Sequence, residues 1–337
     1  MRKILSVLLI LTSFILISCE KVNKAENDNF EHLSVIVSDG IWARDFWPPA
    51  VAEFESLNTC KIDFVFAEMD NSFLLDVKGD SLQADVILGI NEAYSTILDT
   101  TVFIKYKPKT ANLSHEFIKL NKCNLTPVFF SYLALLYKND QIETPPTTFG
   151  GLQDGIWVDS MIIPSAETSM IGRSNLLWSV AAFGKNGFGH FWRSIKNNVS
   201  TITESSDNTF RMFLADEAPM ILWCSSYKAY LHKKEINNVS VQFLQEGSYQ
   251  TVFQGGIRAK SHKIDLSKEF MDYLLTTEFQ TKIPTGLFMY PVNKNVELPE
   301  SFDDLELPEK ILNKNLNQKE SKINMKYWIS KWKKRVK

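Results

Sequence analysis

Val128-Phe129-Phe130-Ser131-Tyr132-Leu133-Ala134-Leu135-Leu136-Tyr137 is an unusually long apolar stretch in the middle of the chain, and the reading of the fold turns on it. It is closed by Lys138-Asn139-Asp140 and the turn-like Pro145-Pro146, so we read it as the segment that carries the chain from one lobe into a second. On its N-terminal side, residues 33–37 form a short aliphatic run. Residues 50–57 place apolar side chains at helical spacing behind Pro48-Pro49, and residues 62–66 are apolar and partly β-branched. Residues 72–77 follow as a helix, 86–88 as a buried strand and 93–98 as another helix. This alternation of strand and helix predicts a parallel α/β sheet. On the C-terminal side the same alternation returns, with strands at 162–163, 220–223 and 239–244 and helices at 176–183 and 191–195. A strand at 251–257 then leads into a helix at 270–275 that repeats the pattern of the first lobe, and a Lys-rich helix holding Trp328 and Trp332 ends the chain. The fold class expected is α/β, two-lobed, with a ligand cleft between the lobes, where ligands meet loops at strand ends.

The ends and the composition bound the function. Arg2 and Lys3 precede an apolar run over residues 4–17 that stops at Ser18-Cys19-Glu20, short of the ~20 residues a spanning helix needs. The run reads as a cleaved export signal. Leu16-Ile17-Ser18-Cys19 has the aliphatic and small residues of a bacterial lipobox, which makes Cys19 the lipid-bearing first residue of the mature protein. Residues 20–29 are polar and cannot bury enough surface to fold alone. The remainder has ordinary globular composition, in a chain that is 45% hydrophobic and 23% charged overall. The expected organisation is a signal at 1–18, a tether at 19–32, a first lobe at 33–127 plus 252–290, and a second at 128–251 plus 291–337. The net charge of −2 comes from mixed acids and bases, so nucleic acid is not an expected partner. Beyond Cys19, three widely spaced cysteines (Cys60, Cys123 and Cys224) allow at most one intrachain disulfide, and spacing does not choose a pair.

No enzyme motif emerges. The five histidines are scattered, without H-E-x-x-H, and there is no Walker loop, dinucleotide fingerprint or G-x-S-x-G elbow. We therefore expect no cofactor, no metal and no catalysis. Aromatic residues beside acids, in Asp39-Gly40-Ile41-Trp42, Asp45-Phe46-Trp47 and Glu68-Met69-Asp70, suit an organic cation, although capping and packing explain each residue singly. Trp178, Phe183, Phe191 and Trp192 lie at helical spacings and read as core. Thr168-Ser169-Met170-Ile171-Gly172 opens a strong helix; plain N-capping accounts for it more simply than an anion cradle.

Ala84-Asp85-Val86-Ile87-Leu88-Gly89, Glu246-Gly247-Ser248-Tyr249 and above all Ile283-Pro284-Thr285-Gly286-Leu287-Phe288-Met289-Tyr290-Pro291-Val292 resemble the thiamine-binding protein of thiamine ABC importers, nearly end to end. The resemblance implies the type II periplasmic-binding-protein fold and an extracytoplasmic, monomeric receptor, which the lipobox reading anchors by a lipid. Such a receptor closes over thiamine, its phosphates or a related cationic heterocycle and delivers it to a permease. Carried over by position, Asp39 and Asp70 oppose the cation, Tyr230 is a pocket tyrosine, Phe288 stands where the family usually has tryptophan, and Ser169 lies at the phosphate end. Ser206 and Cys224 stand where a stacking tryptophan and a second tyrosine are expected, with Trp223 and Trp42 as substitutes. The alternatives are a receptor for another small cation such as a polyamine, and a thiamine-degrading enzyme with Cys224 as nucleophile, to which His232 is a poor partner.

Overall fold

The computed structural model describes residues 30–38, 40, 43–68, 73, 76–77, 83–109, 112–114, 117–118 and 124–336. In chain order the strands are β1 Glu31–Ser38, β2 Cys60–Ala67, β3 Val86–Asn91, β4 Thr126–Lys138, β5 Met161–Pro164, β6 Val199–Thr203, β7 Met220–Cys224, β8 Val239–Gln242, β9 Gln250–Ile257 and β10 Tyr290–Pro291. The helices used below are α1 Ala43–Asn58, α2 Glu92–Ser95, α3 Met170–Ser194, α4 Ser206–Leu214, α5 Tyr227–Lys233, α6 Ile264–Tyr273, α7 Thr277–Gln280, α8 Ile283–Gly286 and α9 Gln318–Val336.

The central apolar stretch is the body of β4, and it serves two halves of one curled sheet. The sheet order is β2-β1-β3-β9-β4-β7-β5-β6, with β8 and β10 also pairing with β4. The first part of β4 lies between β9 and β10, through pairs such as Phe130 with Val252 and Phe130 with Tyr290. Its second part lies between β7 and β8, with Leu135 facing Leu222 on one side and Gln242 on the other. A strand paired on both edges and covered on both faces must be apolar throughout; nearly every residue of β4 is buried.

The expected parallel sheet is corrected to a mixed one. β1, β2 and β3 are mutually parallel, as are β5, β6 and β7. The exceptions are β4 and β9, which pair antiparallel to each other and to their neighbours. One strand carries the chain out of the first half and the other brings it back, so their directions oppose.

Other expectations shift in detail. The two helices read at 176–183 and 191–195 are one element, α3, broken at Gly184, whose φ of 69° and ψ of 172° are not helical. Helix α1 starts seven residues before position 50 and runs through Pro48 and Pro49. The helix read at 93–98 is the single turn α2. β6, α4 and α5 were not foreseen; all are short, and β6 has only one fully buried side chain. Half of the helix expected at 72–77 falls outside the described residues, and Phe73, Asp76 and Val77 are helical. The core reading of the α3 aromatics holds for Trp178, Phe191 and Trp192, which are buried. Trp192 meets Trp332 of α9 edge to face at 6.0 Å, and Phe188 meets Trp328 likewise. The Trp178 and Trp192 indoles donate to the Gly247 carbonyl and the Ser179 hydroxyl. Glu31–Lys337 forms one compact unit, and among the described residues no helix is long and apolar enough to cross a membrane.

Candidate functional site

Strand ends from both halves and the β4–β9 seam meet in a cleft of about 720 Å³, open solvent included, a concave, largely apolar place of the kind small molecules occupy. The first half contributes Ser38 at the end of β1, Gly40 beyond it, Trp47 of α1 and Gly89 of β3. The seam contributes Phe129 and Phe253, and the second half contributes Met170, Ser206, Asp207, Trp223 and Tyr227. Gly89 has a φ of +84°, and a Cβ there would lie 2.7 Å from the Ser38 Cβ, so only glycine lets β3 approach β1 this closely at the cleft floor.

One wall is aromatic. Trp223, at the end of β7, stacks on Phe210 of α4 with ring centroids 5.7 Å apart and planes at 17°, and Tyr227 of α5 stands edge-on to both. The Trp223 indole Nε1 is buried without a hydrogen-bond partner among the described residues, an unmet donor in this wall. Burial, then the neighbouring Cys224 and Asp207, push the Tyr227 phenol well above its ordinary value, so it stays protonated and can donate.

The other wall is polar. Ser169 caps α3, its hydroxyl accepting from the Gly172 amide at 3.2 Å, and Ser205 caps α4 in the same way through Asn208. The Ser169 and Ser206 hydroxyls lie 2.6 Å apart, so two helix N-termini converge beside the aromatic wall. Gly172 permits this: a Cβ there would lie 2.3 Å from the Ser165 carbonyl oxygen. The same recess carries the carboxylates of Glu68, Glu204 and Asp207. Hydroxyls and helix N-termini favour a negative group, whereas three acids favour a positive one. A ligand with a cationic part and a hydrogen-bond-accepting oxygen meets both.

Of the residues singled out from sequence, Trp223 and Ser169 lie in this cleft or at its edge. Tyr230 and Phe288 meet each other edge to face at 5.3 Å, but line a second groove with Asp45, Lys233, Lys234 and Lys282. The two grooves are linked by Phe210, which touches both Trp223 and Tyr230. Asp39, Trp42, Asp70 and Cys19 lie outside the described residues, as does Cys123. Tyr227, Asp207 and Met289 are cleft residues that the sequence reading missed. The pattern Ser205-Ser206-Asp207 before an amphipathic helix was a capping signal that could have drawn attention to that corner.

The Cys224 thiol suits a core role. It is buried, and burial pushes it up to about 12, so it holds its proton at neutral pH. Cys60 is likewise a free, buried thiol. Among the described residues no group of three or more His, Cys, Asp or Glu side chains could hold a metal ion.

Comparison with known proteins places this architecture. The thiamine-binding periplasmic protein of Escherichia coli K12 is 27% identical over 306 residues, which cover 88% of this chain and 90% of that one. A solved periplasmic thiamin binding protein superposes with a TM-score of 0.76 at 26% identity, covering 91% of this chain and 97% of the other. A periplasmic binding protein from Actinobacillus pleuropneumoniae with fructose-6-phosphate bound reaches 0.79 at 17% identity over 91% of this chain and 98% of its own, a likeness of fold alone. The two-lobed type II periplasmic-binding-protein fold expected from the sequence resemblance is therefore the fold observed, and the resemblance itself is borne out. The model of the bacterial extracellular solute-binding proteins matches residues 83–317, and the chain belongs to that family.

Proposed function

We propose that this protein binds thiamine outside the cytoplasm and hands it to the permease of an ATP-driven importer, performing no chemistry of its own. The observation that carries the reading is the pairing of Trp223 and Tyr227 with the Asp207 carboxylate in one cleft. Relatives named for thiamine binding, aligned over nearly the whole chain, support it. A desolvated cation–π contact contributes ~2 kcal/mol, and an opposed carboxylate adds selectivity for a cation. Asp39 and Asp70 join Asp207 against the thiazolium in this reading, Trp42 adds a further wall, and Tyr230 with Phe288 closes the outer groove. The three acids beside Ser169 favour thiamine over its phosphate esters.

The rest of the sequence reading completes the proposal. Residues 1–18 direct export, a lipid on Cys19 holds the protein at the membrane, and the tether expected at 19–32 ends at residue 30, because Glu31 and His32 of β1 already pair with Cys60 and Lys61 of β2. The lobes are residues 33–127 with 252–290 and residues 128–251 with 291–337, and the receptor works as a monomer. The chain begun at residue 31, titrated with thiamine, its mono- and diphosphate and spermidine, tests the reading. A ligand at about 100 times its Kd raises stability by ~2.7 kcal/mol. Stabilisation by micromolar thiamine, weakened several-fold in Asp207→Asn, is expected. A response to spermidine alone would transfer the function to polyamines, and loss of thiamine from the incubation would make the protein an enzyme.

A further inference from the structure

Helix α9 has two unlike faces. Met325, Trp328, Trp332 and Val336 are buried against α3 and its neighbours. The opposite face presents Lys319, Lys322, Lys326 and Lys334, all exposed. Between them stand Ile323 and Tyr327, 71% and 62% exposed, among the most exposed large apolar side chains described. At 100° per residue these six positions fall on one continuous strip along a helix ~28 Å long. Lys331 and Lys333 are engaged elsewhere, over the Phe188 ring and with Glu167. The four outward lysines have no acidic partner among the described residues.

Helix stability does not account for this strip. Cations in the last turn, such as Lys334, favour the negative end of the helix dipole, but Lys319 and Lys322 sit near the positive end, where a cation is disfavoured. Nor does the composition of the chain account for it. The helix carries seven basic residues against one acid, Glu320, while the remaining residues carry thirty basic against thirty-eight acidic. The strip is the convex surface of a helix, so it fits a broad, flat partner of negative charge.

We propose that the outer face of α9 docks on an anionic lipid bilayer, the lysines on headgroups and Ile323 and Tyr327 at the interface between headgroups and acyl chains. An exposed aliphatic and a tyrosine among evenly spaced lysines is the pattern of a surface-lying amphipathic helix. The proposal goes beyond ligand binding and does not depend on which solute the cleft holds. The export and lipid-anchor reading gives it proximity: residues 20–30, eleven in number, reach at most ~40 Å, which keeps the folded unit within touch of the bilayer. Weak docking of this kind would orient the receptor beside its membrane partners.

The test uses the compact unit begun at residue 31, which lacks signal and lipid, with vesicles of phosphatidylcholine alone or with 30% phosphatidylglycerol. Each lysine near a charged surface is expected to change partition about fivefold. Binding to the anionic vesicles only, lost in 0.5 M salt and reduced at least twentyfold in K322E/K326E, supports the proposal. Ile323→Ser and Tyr327→Ser should weaken binding without removing its dependence on charge. Circular dichroism and the melting temperature report whether each variant keeps its fold; the altered positions are all exposed. Equal binding to neutral and anionic vesicles, no binding to either at low salt, or undiminished binding of folded K322E/K326E would overturn it. Preference for a polyanion such as heparin over the lipid surface would also overturn it.

Discussion

Replacing Glu92 by glutamine should change how stability depends on pH. Glu92 opens α2 at the end of β3, where its Oε2 accepts from the Val252 amide of β9 at 2.6 Å. Its other oxygen, Oε1, is buried with no partner among the described residues. Part of the residue reaches solvent, but the carboxylate does not. Burial raises it to about 7, and the bonds from Val252 and Tyr249 offset only part of that. In the unfolded chain the group titrates at its ordinary value of 4.5. The folded state therefore binds the proton more tightly, its advantage is complete below pH 4.5, and stability is lost as pH rises from 4.5 to 7. The difference corresponds to about 3 kcal/mol. Glutamine keeps an acceptor for Val252 and cannot ionise. Urea unfolding followed by tryptophan fluorescence, in steps from pH 4.5 to 8, should show E92Q close to the parent at the acid end and about 3 kcal/mol more stable at pH 8. Other groups titrate in both proteins, so the parent–variant difference is the quantity to read. A difference independent of pH would refute the argument, because the carboxylate would then not be charged against its burial.

Three further outcomes follow from the geometry. Gly172→Ala drives a Cβ to 2.3 Å from the Ser165 carbonyl oxygen and should destabilise by about 1–3 kcal/mol in denaturant melts, with weaker thiamine binding as the α3 N-terminus is displaced. Ser169→Ala removes the cap on Gly172 and the contact with Ser206 and should cost about 1 kcal/mol; a melting temperature unchanged from the parent would count against the capping role. In a chain begun at residue 31 and carrying Cys123→Ser, Cys60 and Cys224 should react with a thiol reagent only after urea unfolding, since both are buried and protonated. Fast labelling of the folded protein would contradict the burial.

Much of the fold was legible because its signals are local. The apolar runs at 33–37, 62–66 and 86–88 became β1, β2 and β3, and the helical spacing of Trp178, Phe191 and Trp192 announced a buried face. The site was legible in part. Trp223 and Ser169 could be placed through resemblance, but Tyr227 and Asp207 sit on helices of seven and nine residues, too short to stand out from the sequence around them. Tyr230 and Phe288 are one ring away from the cleft that holds Trp223, a distance that spacing along the chain cannot express.

By itself the sequence determined most of the longer strands and helices, that the chain is α/β, and that its central apolar stretch links one half to the other. Hydrophobic periodicity acts within a dozen residues, and that is enough for those statements. Only the tertiary structure decided that β4 is shared between two halves, that β9 returns antiparallel beside it, and that Ser169 and Ser206, thirty-seven positions apart, bring their hydroxyls to 2.6 Å. Such pairings depend on which buried edges and helix ends find each other across the whole chain, and the physics that selects them is packing and hydrogen bonding between segments, to which local pattern contributes nothing.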